Sequence, residues 1–192
     1  MRPRYPRFHV SWPSTWLLTD ERQGDALWPA LRKLPRGSGV IVRHYTLTGG
    51  ERQALLKRIC RIARSRGLVL LLAGALDRSM GADGLYLGSP AMKDSRVKMA
   101  IGVHDLKEIR EAERARADLV LLSPLFPTRS HPSRRSLGIP RFAALAKATH
   151  LPVIALGGVD ARHARLVHRI GAHGWAGIDA FIPKARKSEI RT

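Results

Sequence analysis

The sequence predicts an α/β protein whose fold is a compact (β/α)8 TIM barrel with some helices shortened. Strand-like apolar runs alternate with helix-like runs throughout the 192 residues, an order typical of parallel sheets. A hydroxyl-bearing loop follows the sixth apolar run and a glycine pair follows the seventh, as at the phosphate-binding end of such a barrel. No G-x-G-x-x-G turn follows the first run, which disfavours an open dinucleotide-binding sheet.

Five strands are predicted in the first part of the chain, at residues 15–20, 39–43, 68–72, 84–87 and 99–103. The second is continuously apolar, as expected for a strand covered on both faces. Residues 50–66 have apolar side chains at helical spacing and predict a crossover helix. About ten residues separate the third and fourth strands, too few for another crossover helix.

The second part of the chain continues the alternation. A charged helix is predicted over residues 105–116, and the last three strands begin near Asp118, Pro152 and Gly174. Helices over 139–149 and 161–170 connect these strands. We expect one domain over residues 1–192, with residues 1–13 forming a loosely ordered N-terminal segment.

Composition restricts the cellular setting. No run of about 18 apolar residues is present to cross a membrane, and no apolar segment follows the basic N-terminus as a secretory signal would require. The single cysteine, Cys60, cannot form an internal disulfide and lies in a helical pattern. We therefore expect a cytoplasmic protein with Cys60 in its core. The sequence leaves the oligomeric state open.

The formal charge of +19 and the pI near 11.5 are typical of proteins that bind nucleic acids or other anions. However, the basic residues are spread along the whole sequence, and aromatic residues make up 6%, too few for a base-stacking platform. No RNP, zinc-finger or helix-turn-helix pattern is present. We expect solvated helix faces and an attraction for phosphorylated small molecules, with no specific nucleic-acid partner.

Two segments near the C-terminus are candidates for phosphate binding. Gly157 and Gly158 follow the seventh strand, where main-chain N–H groups and the start of the next helix approach an anion. The alternative is a tight turn with no ligand. Thr128 and Ser130 lie in a loop rich in arginine, which suits closure over a phosphate. The alternative for that loop is a solvated basic segment.

Two further residues are candidates for a catalytic role. Arg43 ends the second strand, at the face where barrel active sites lie, and binds there either a phosphate or a neighbouring carboxylate. His104 ends the fifth strand and is either a proton donor or a polar residue of the barrel rim. The eight histidines and the one cysteine show no metal-ligand spacing, so no metal site is predicted.

Several of these motifs together resemble the thiamine-phosphate synthase and thiazole tautomerase family. They are Leu-Phe-Pro-Thr-Arg-Ser at 125–130, Leu-Pro-Val-Ile-Ala-Leu-Gly-Gly-Val at 151–159 and Gly-Ala-His-Gly at 171–174. The Gly-Ala-Asp-Gly-Leu-Tyr-Leu-Gly segment at 81–88 falls in the expected order. The resemblance implies a transferase of thiamine biosynthesis that joins hydroxymethylpyrimidine diphosphate to thiazole phosphate, with release of diphosphate and the help of Mg²⁺.

The resemblance also implies residue roles. Thr128, Ser130, Gly157 and Gly158 would hold the thiazole phosphate, and Arg43 would meet the diphosphate. The small partner expected from this is a phosphorylated heterocycle.

The chain departs from the family pattern where Mg²⁺ is bound. The carboxylate expected after the third strand is replaced by Ala73-Gly74, and the one after the fourth by Ser-Pro-Ala at 89–91. Asp77 is a substitute ligand if its loop folds back, while Asp179 replaces a phosphate-binding serine with a negative charge. The expectation is a synthase with weak or lost activity; the alternative is a non-catalytic phosphate-ligand-binding or regulatory barrel of thiamine metabolism.

Overall fold

The computed structural model describes residues 12–74, 81–89, 97–128 and 135–182. Eight parallel strands close into a barrel in which each strand pairs with its neighbours in sequence order. The strands are β1 Thr15–Leu18, β2 Gly39–Val42, β3 Val69–Ala73, β4 Gly84–Leu87, β5 Lys98–Val103, β6 Leu119–Leu122, β7 Val153–Leu156 and β8 Gly174–Gly177. β8 closes the ring by pairing with β1, where Trp16 lies opposite Ala176. The predicted fold class is confirmed.

Five α-helices are present in the described ranges: α1 Leu27–Lys33, α2 Gly49–Arg66, α3 Leu106–Arg114, α4 Gly138–Lys147 and α5 Ala164–Arg169. Local sequence signals set the ends of the longer ones. Thr48 and Glu51 form a capping box at the start of α2, and Gly67, with φ of 62°, ends it in the left-handed conformation. Asp105 caps α3 by accepting a hydrogen bond from the Glu108 N–H at 2.9 Å.

The first crossover contains a helix that the sequence analysis did not predict. A 3₁₀ turn, Glu21–Ala26, precedes α1, and Gly24 inside this turn has non-helical angles that separate the two elements. Pro29 lies in the first turn of α1, a position where its missing N–H costs no helix hydrogen bond.

The last predicted helix is also divided. It is a 3₁₀ turn, Ala161–His163, followed by the short α5. Residues 75–80 and 90–96 lie outside the described residues, and the described residues that flank them are not helical.

The core has an inner and an outer part because successive strand side chains point to opposite faces. In β1, Trp16 and Leu18 fill the barrel interior, while Leu17 packs outward with α1 and α2. The interior set comprises Trp16, Leu18, Ile41, Leu71, Ala100, Leu119, Leu121, Ile154 and Ala176. Gly39 lies against the Trp16 indole, so a Cβ at this position would overlap the ring.

Cys60 is buried in the outer core between α2 and the barrel, as predicted. The expected N-terminal segment falls mainly on residues 1–11, which lie outside the described part. Trp12 and Pro13 are described, and their carbonyl oxygens accept hydrogen bonds from His173 Nε2 at 2.6 Å and Trp16 Nε1 at 2.7 Å. None of the described helices has the length and apolar character needed to cross a membrane.

Candidate active site at the carboxyl ends of the strands

A cavity of about 780 Å³ opens at the carboxyl ends of β7 and β8. Thr128 from the loop after β6 lines it together with Gly157 and Gly158 from the loop after β7. The lining also includes Arg22, Gln23, Asp160, Ile178 and Asp179. The structure therefore brings three of the four predicted phosphate-binding residues to one cavity. The fourth, Ser130, lies outside the described residues.

The glycine pair is required by the close approach of the loop after β6. Gly157 and Gly158 have φ of 94° and 64°. A Cβ on Gly157 would lie 2.7 Å from the Cβ of Pro124, and one on Gly158 would lie 2.7 Å from the Cβ of Phe126. The Phe126 N–H also donates to the Gly157 carbonyl at 3.1 Å. The pair thus forms a tight turn packed against a neighbouring loop, and the same turn lines the cavity.

The cavity has carboxylates as well as main-chain groups on its wall. Asp160 accepts hydrogen bonds from Arg162, and chiefly for this reason its pKa is lowered to about 2. Asp179 is exposed at the cavity. A hydrogen bond to Asp20 is the main cause of the raised pKa of Arg22, and the charge of Asp179 adds to it. Asp179 is therefore close enough to Arg22 to interact with it electrostatically.

Arg43 contacts a carboxylate in the structure. Its Nη2 lies 2.7 Å from Asp20 Oδ2, and its Nε donates to the Thr19 carbonyl at 3.0 Å. Arg22 Nε lies 2.7 Å from the other oxygen of the same carboxylate. The hydrogen bond from Arg22 is the largest effect that lowers the pKa of Asp20. Two guanidinium groups thus share one carboxylate, which leaves this cluster with a net charge of +1.

His44 and Thr19 form a buried polar pair below this cluster. The Thr19 hydroxyl lies 2.9 Å from His44 Nδ1 and accepts the Arg43 main-chain N–H at 3.1 Å. Burial lowers the pKa of His44, so its imidazole is neutral at pH 7. A neutral Nδ1 can accept the hydroxyl proton of Thr19, which satisfies both buried groups.

His104 lies at the junction of β5 and α3 and is oriented by one carboxylate. Its Nδ1 lies 2.8 Å from Glu108 Oε2, and the same oxygen accepts the main-chain N–H of His104 at 2.7 Å. Neither His104 nor Arg43 lines the 780 Å³ cavity. The proton-donor role of His104 stays a prediction.

Comparison with known proteins identifies the family. The sequence model described as thiamine monophosphate synthase matches residues 18–181. The chain belongs to the thiamine monophosphate synthase family. The thiamine-phosphate synthase of Geobacillus thermodenitrificans is 30% identical over 162 residues, covering 76% of this chain and 73% of that protein. The thiamine-phosphate synthase of Syntrophomonas wolfei is 28% identical over 185 residues, covering 88% of each chain.

A comparison with solved structures finds the same barrel fold. The thiamine phosphate pyrophosphorylase of Pyrococcus furiosus superposes with a TM-score of 0.75 at 23% identity, covering 87% of this chain and 86% of that one. Membership in a family of thiamine biosynthesis, predicted from the motifs, is confirmed.

The residues at the ends of β3 and β4 do not fit the Mg²⁺ that the thiamine monophosphate synthase family implies. Mg²⁺ requires oxygen ligands, usually carboxylates. β3 ends in Ala73 and is followed by Gly74, and Gly88 follows β4. Across the described parts of the chain, no group of three or more His, Cys, Asp or Glu residues could hold a metal ion. Asp77, the substitute ligand considered from the sequence, lies outside them.

Sequence reasoning missed two residues that organise the site of this family member. Asp20 holds both arginines, and Gln23 Nε2 donates to the carbonyls of Leu18 at 3.1 Å and Ile178 at 2.7 Å. Gln23 thereby ties the end of β1 to the loop after β8, beside the cavity. The sequence did contain a signal for both residues. Asp20 and Gln23 have the D-x-x-Q spacing typical of a capping box, and in the structure they form a capping box.

Proposed function

We propose that this protein binds thiazole phosphate in the cavity over β7 and β8 and joins it to hydroxymethylpyrimidine diphosphate with release of diphosphate. The rate is far below that of family members that carry the metal carboxylates. The observation that carries the proposal is the convergence of Thr128, Gly157 and Gly158 on one cavity in a thiamine monophosphate synthase family member. Phosphate sites in barrels of this class frequently form after strands 7 and 8.

The charges near the cavity explain the low rate. In the transfer, the bond from the pyrimidine methylene to a diphosphate oxygen breaks, a bond to the thiazole nitrogen forms, and diphosphate leaves with the electron pair. The leaving oxygen gains negative charge that cations must stabilise. The cluster of Arg22, Asp20 and Arg43 has a net charge of +1 because the carboxylate neutralises one arginine. The described residues supply no Mg²⁺ ligand set to add to it.

The test is formation of thiamine phosphate from the two substrates, with and without Mg²⁺, beside the Geobacillus thermodenitrificans protein measured identically. A metal ion contributes several kcal/mol to such a transition state. At about 1.4 kcal/mol per tenfold, its loss predicts a rate at least about 100-fold lower than that of the comparison protein. A matched rate would contradict our account of the missing carboxylates. Equal turnover of thiazole phosphate and its dephosphorylated alcohol would contradict the proposal that the cavity binds the phosphate group.

A second candidate function is a non-catalytic phosphate-ligand-binding or regulatory barrel of thiamine metabolism. The observation that favours it is the Ala73-Gly74 end of β3, which offers no oxygen side chain. Saturable binding of thiazole phosphate or thiamine phosphate, with no turnover after prolonged incubation at high protein concentration, would select this candidate. Any measurable turnover that scales with protein concentration would reject it.

A further inference from the structure

The first two crossovers carry an unusual excess of positive charge. Residues 27–73 contain a single acidic residue, Glu51, on 47 consecutive described positions. The same stretch contains ten basic residues: Arg32, Lys33, Arg36, Arg43, Arg52, Lys57, Arg58, Arg61, Arg64 and Arg66. The cations of the whole chain are spread along the sequence, but this stretch itself supplies one carboxylate for ten cations, and Arg43 pairs with Asp20 outside it.

Six of these cations lie on α1, on α2 and in the turn that follows α1, and we name them together the α1–α2 basic face. It consists of Arg32, Lys33, Arg36, Lys57, Arg61 and Arg64, all of which are exposed. The C-terminal ends of the two helices lie side by side, since Arg66 Nη2 donates to the Leu34 carbonyl at 2.6 Å. Within the described residues, no carboxylate lies at ion-pair distance from any of the six.

Helix α3 shows what a solvated, charge-balanced face looks like in the same protein. It carries three cations, Lys107, Arg110 and Arg114, and three glutamates. Arg110 Nη1 lies 2.8 Å from Glu113 Oε2. The α1–α2 basic face has no such ion pair among the residues that the structure describes. The helix dipole favours cations in the last turn of a helix, which accounts for Arg64 but not for Lys57 or Arg61.

We infer that the α1–α2 basic face binds the phosphate backbone of double-stranded nucleic acid without sequence preference. Lys57, Arg61 and Arg64 are spaced i, i+4, i+7, so they form a stripe about 10 Å long on one face of α2. A duplex presents one phosphate per about 3.4 Å along each strand, so a stripe of this length can meet several phosphates. Such contact reads no bases and is compatible with the absence of a recognition motif.

The composition of the face favours a duplex over a lipid surface. Helices that bind at a membrane surface insert large apolar side chains among the lipids. The apolar residues of α2, including Leu56 and Ile59, are buried against the barrel. The large hydrophobic side chains that are exposed in the described ranges are Tyr45, Leu106 and Ile139, none of which lies on α1 or α2.

The face is also separate from the proposed active site. Each crossover helix runs back along the barrel, so α1 and α2 end near the amino ends of the strands. The cavity opens at the carboxyl ends, and none of the six cations lines it. The inference therefore does not rest on the proposed function.

The test is binding of the full chain to a fluorescein-labelled DNA duplex of arbitrary sequence, followed by anisotropy over a range of salt concentrations. Two triple variants remove equal charge: Lys57→Gln, Arg61→Gln, Arg64→Gln on α2, and Lys107→Gln, Arg110→Gln, Arg114→Gln on α3. Each lost phosphate contact reduces the slope of log K against log salt by about 0.9, so we expect the α2 variant to lose about 2.7 and the α3 variant to keep the native slope.

Three results would overturn the inference. The α2 variant could keep the native slope, which would assign the binding to other segments. Both variants could lose slope equally, which would assign it to net charge alone. Finally, the native chain could sediment with phosphatidylserine vesicles and ignore the duplex, which would assign the face to a membrane. Thermal unfolding of both variants is measured alongside; all six substituted positions are exposed, so native-like melting is expected.

Discussion

Replacing Gly158 with alanine tests whether the loop after β6 packs directly against the glycine pair in the cavity wall. An alanine there would keep φ near 64° and place its Cβ 2.7 Å from the Phe126 Cβ and from the Pro127 carbonyl oxygen. The left-handed conformation costs about 1–2 kcal/mol for a residue with a Cβ. Overpacking of a close contact adds about 1–3 kcal/mol. Gly158→Ala should therefore lower the free energy of unfolding by about 3 kcal/mol.

Gly67 supplies the matched control. It has a similar φ of 62° at the end of α2, but no atom lies within 4 Å of a Cβ built on it. Gly67→Ala should cost about 1 kcal/mol, since only the conformational cost remains. For a protein of this size, 1 kcal/mol corresponds to about 2–4 °C in Tm, so the expected decreases are about 6–12 °C and about 2–4 °C. Equal decreases for the two variants, measured by calorimetry, would refute the packing of the loop against Gly158.

Three other substitutions follow from the same structure. Asp20→Ala leaves Arg22 and Arg43 without their shared carboxylate. Because this carboxylate is partly exposed, the free energy of unfolding should decrease by about 2 kcal/mol. Urea unfolding measures this, and an unchanged stability would contradict the role of Asp20 in holding the two arginines. Gly39→Ala would overlap the Trp16 indole and should cost about 3 kcal/mol or more in the same assay, whereas native stability would contradict the interior packing. Burial lowers the pKa of His44 below 6.5. As the pH falls, His44 is therefore protonated in the unfolded state before it is protonated in the folded state. The contribution of the neutral His44 to folding stability is complete above about pH 6.5 and is lost on acidification. His44→Asn should flatten the decrease in Tm between about pH 7.5 and 5.5, and an unchanged decrease would exclude His44 as its source.

The barrel was predictable because its strands are short, continuously apolar runs separated by helical patterns. β2 is buried along its whole length, as predicted from its continuously apolar sequence, and the structure shows the same for β6. Helix α1 was missed because seven residues with a proline among them give little periodicity. The helix predicted over 161–170 is divided because Asp160 caps a 3₁₀ turn before α5 begins.

The only site residues that could be predicted were those whose sequence motif falls at the end of a predicted strand. The glycine pair was found as a turn after β7, but its need for glycine depends on Pro124 and Phe126, more than 30 residues earlier in the sequence. The Arg43–Asp20 ion pair joins residues 23 apart, since β1 and β2 are neighbours in the barrel. The sequence left a carboxylate partner open without naming it. Spacing along the chain does not report such contacts between adjacent loops.

The central claim is that the cavity beyond β7 and β8 holds a phosphate group. Calorimetric titration with thiazole phosphate tests it most directly, with the dephosphorylated thiazole alcohol as the matched ligand and Asp179→Ser as the matched variant. We predict saturable one-to-one binding of the phosphate, much weaker binding of the alcohol, and tighter phosphate binding by Asp179→Ser because a repelling charge is removed. Equal affinity for the two ligands, or no heat with either, would contradict the claim.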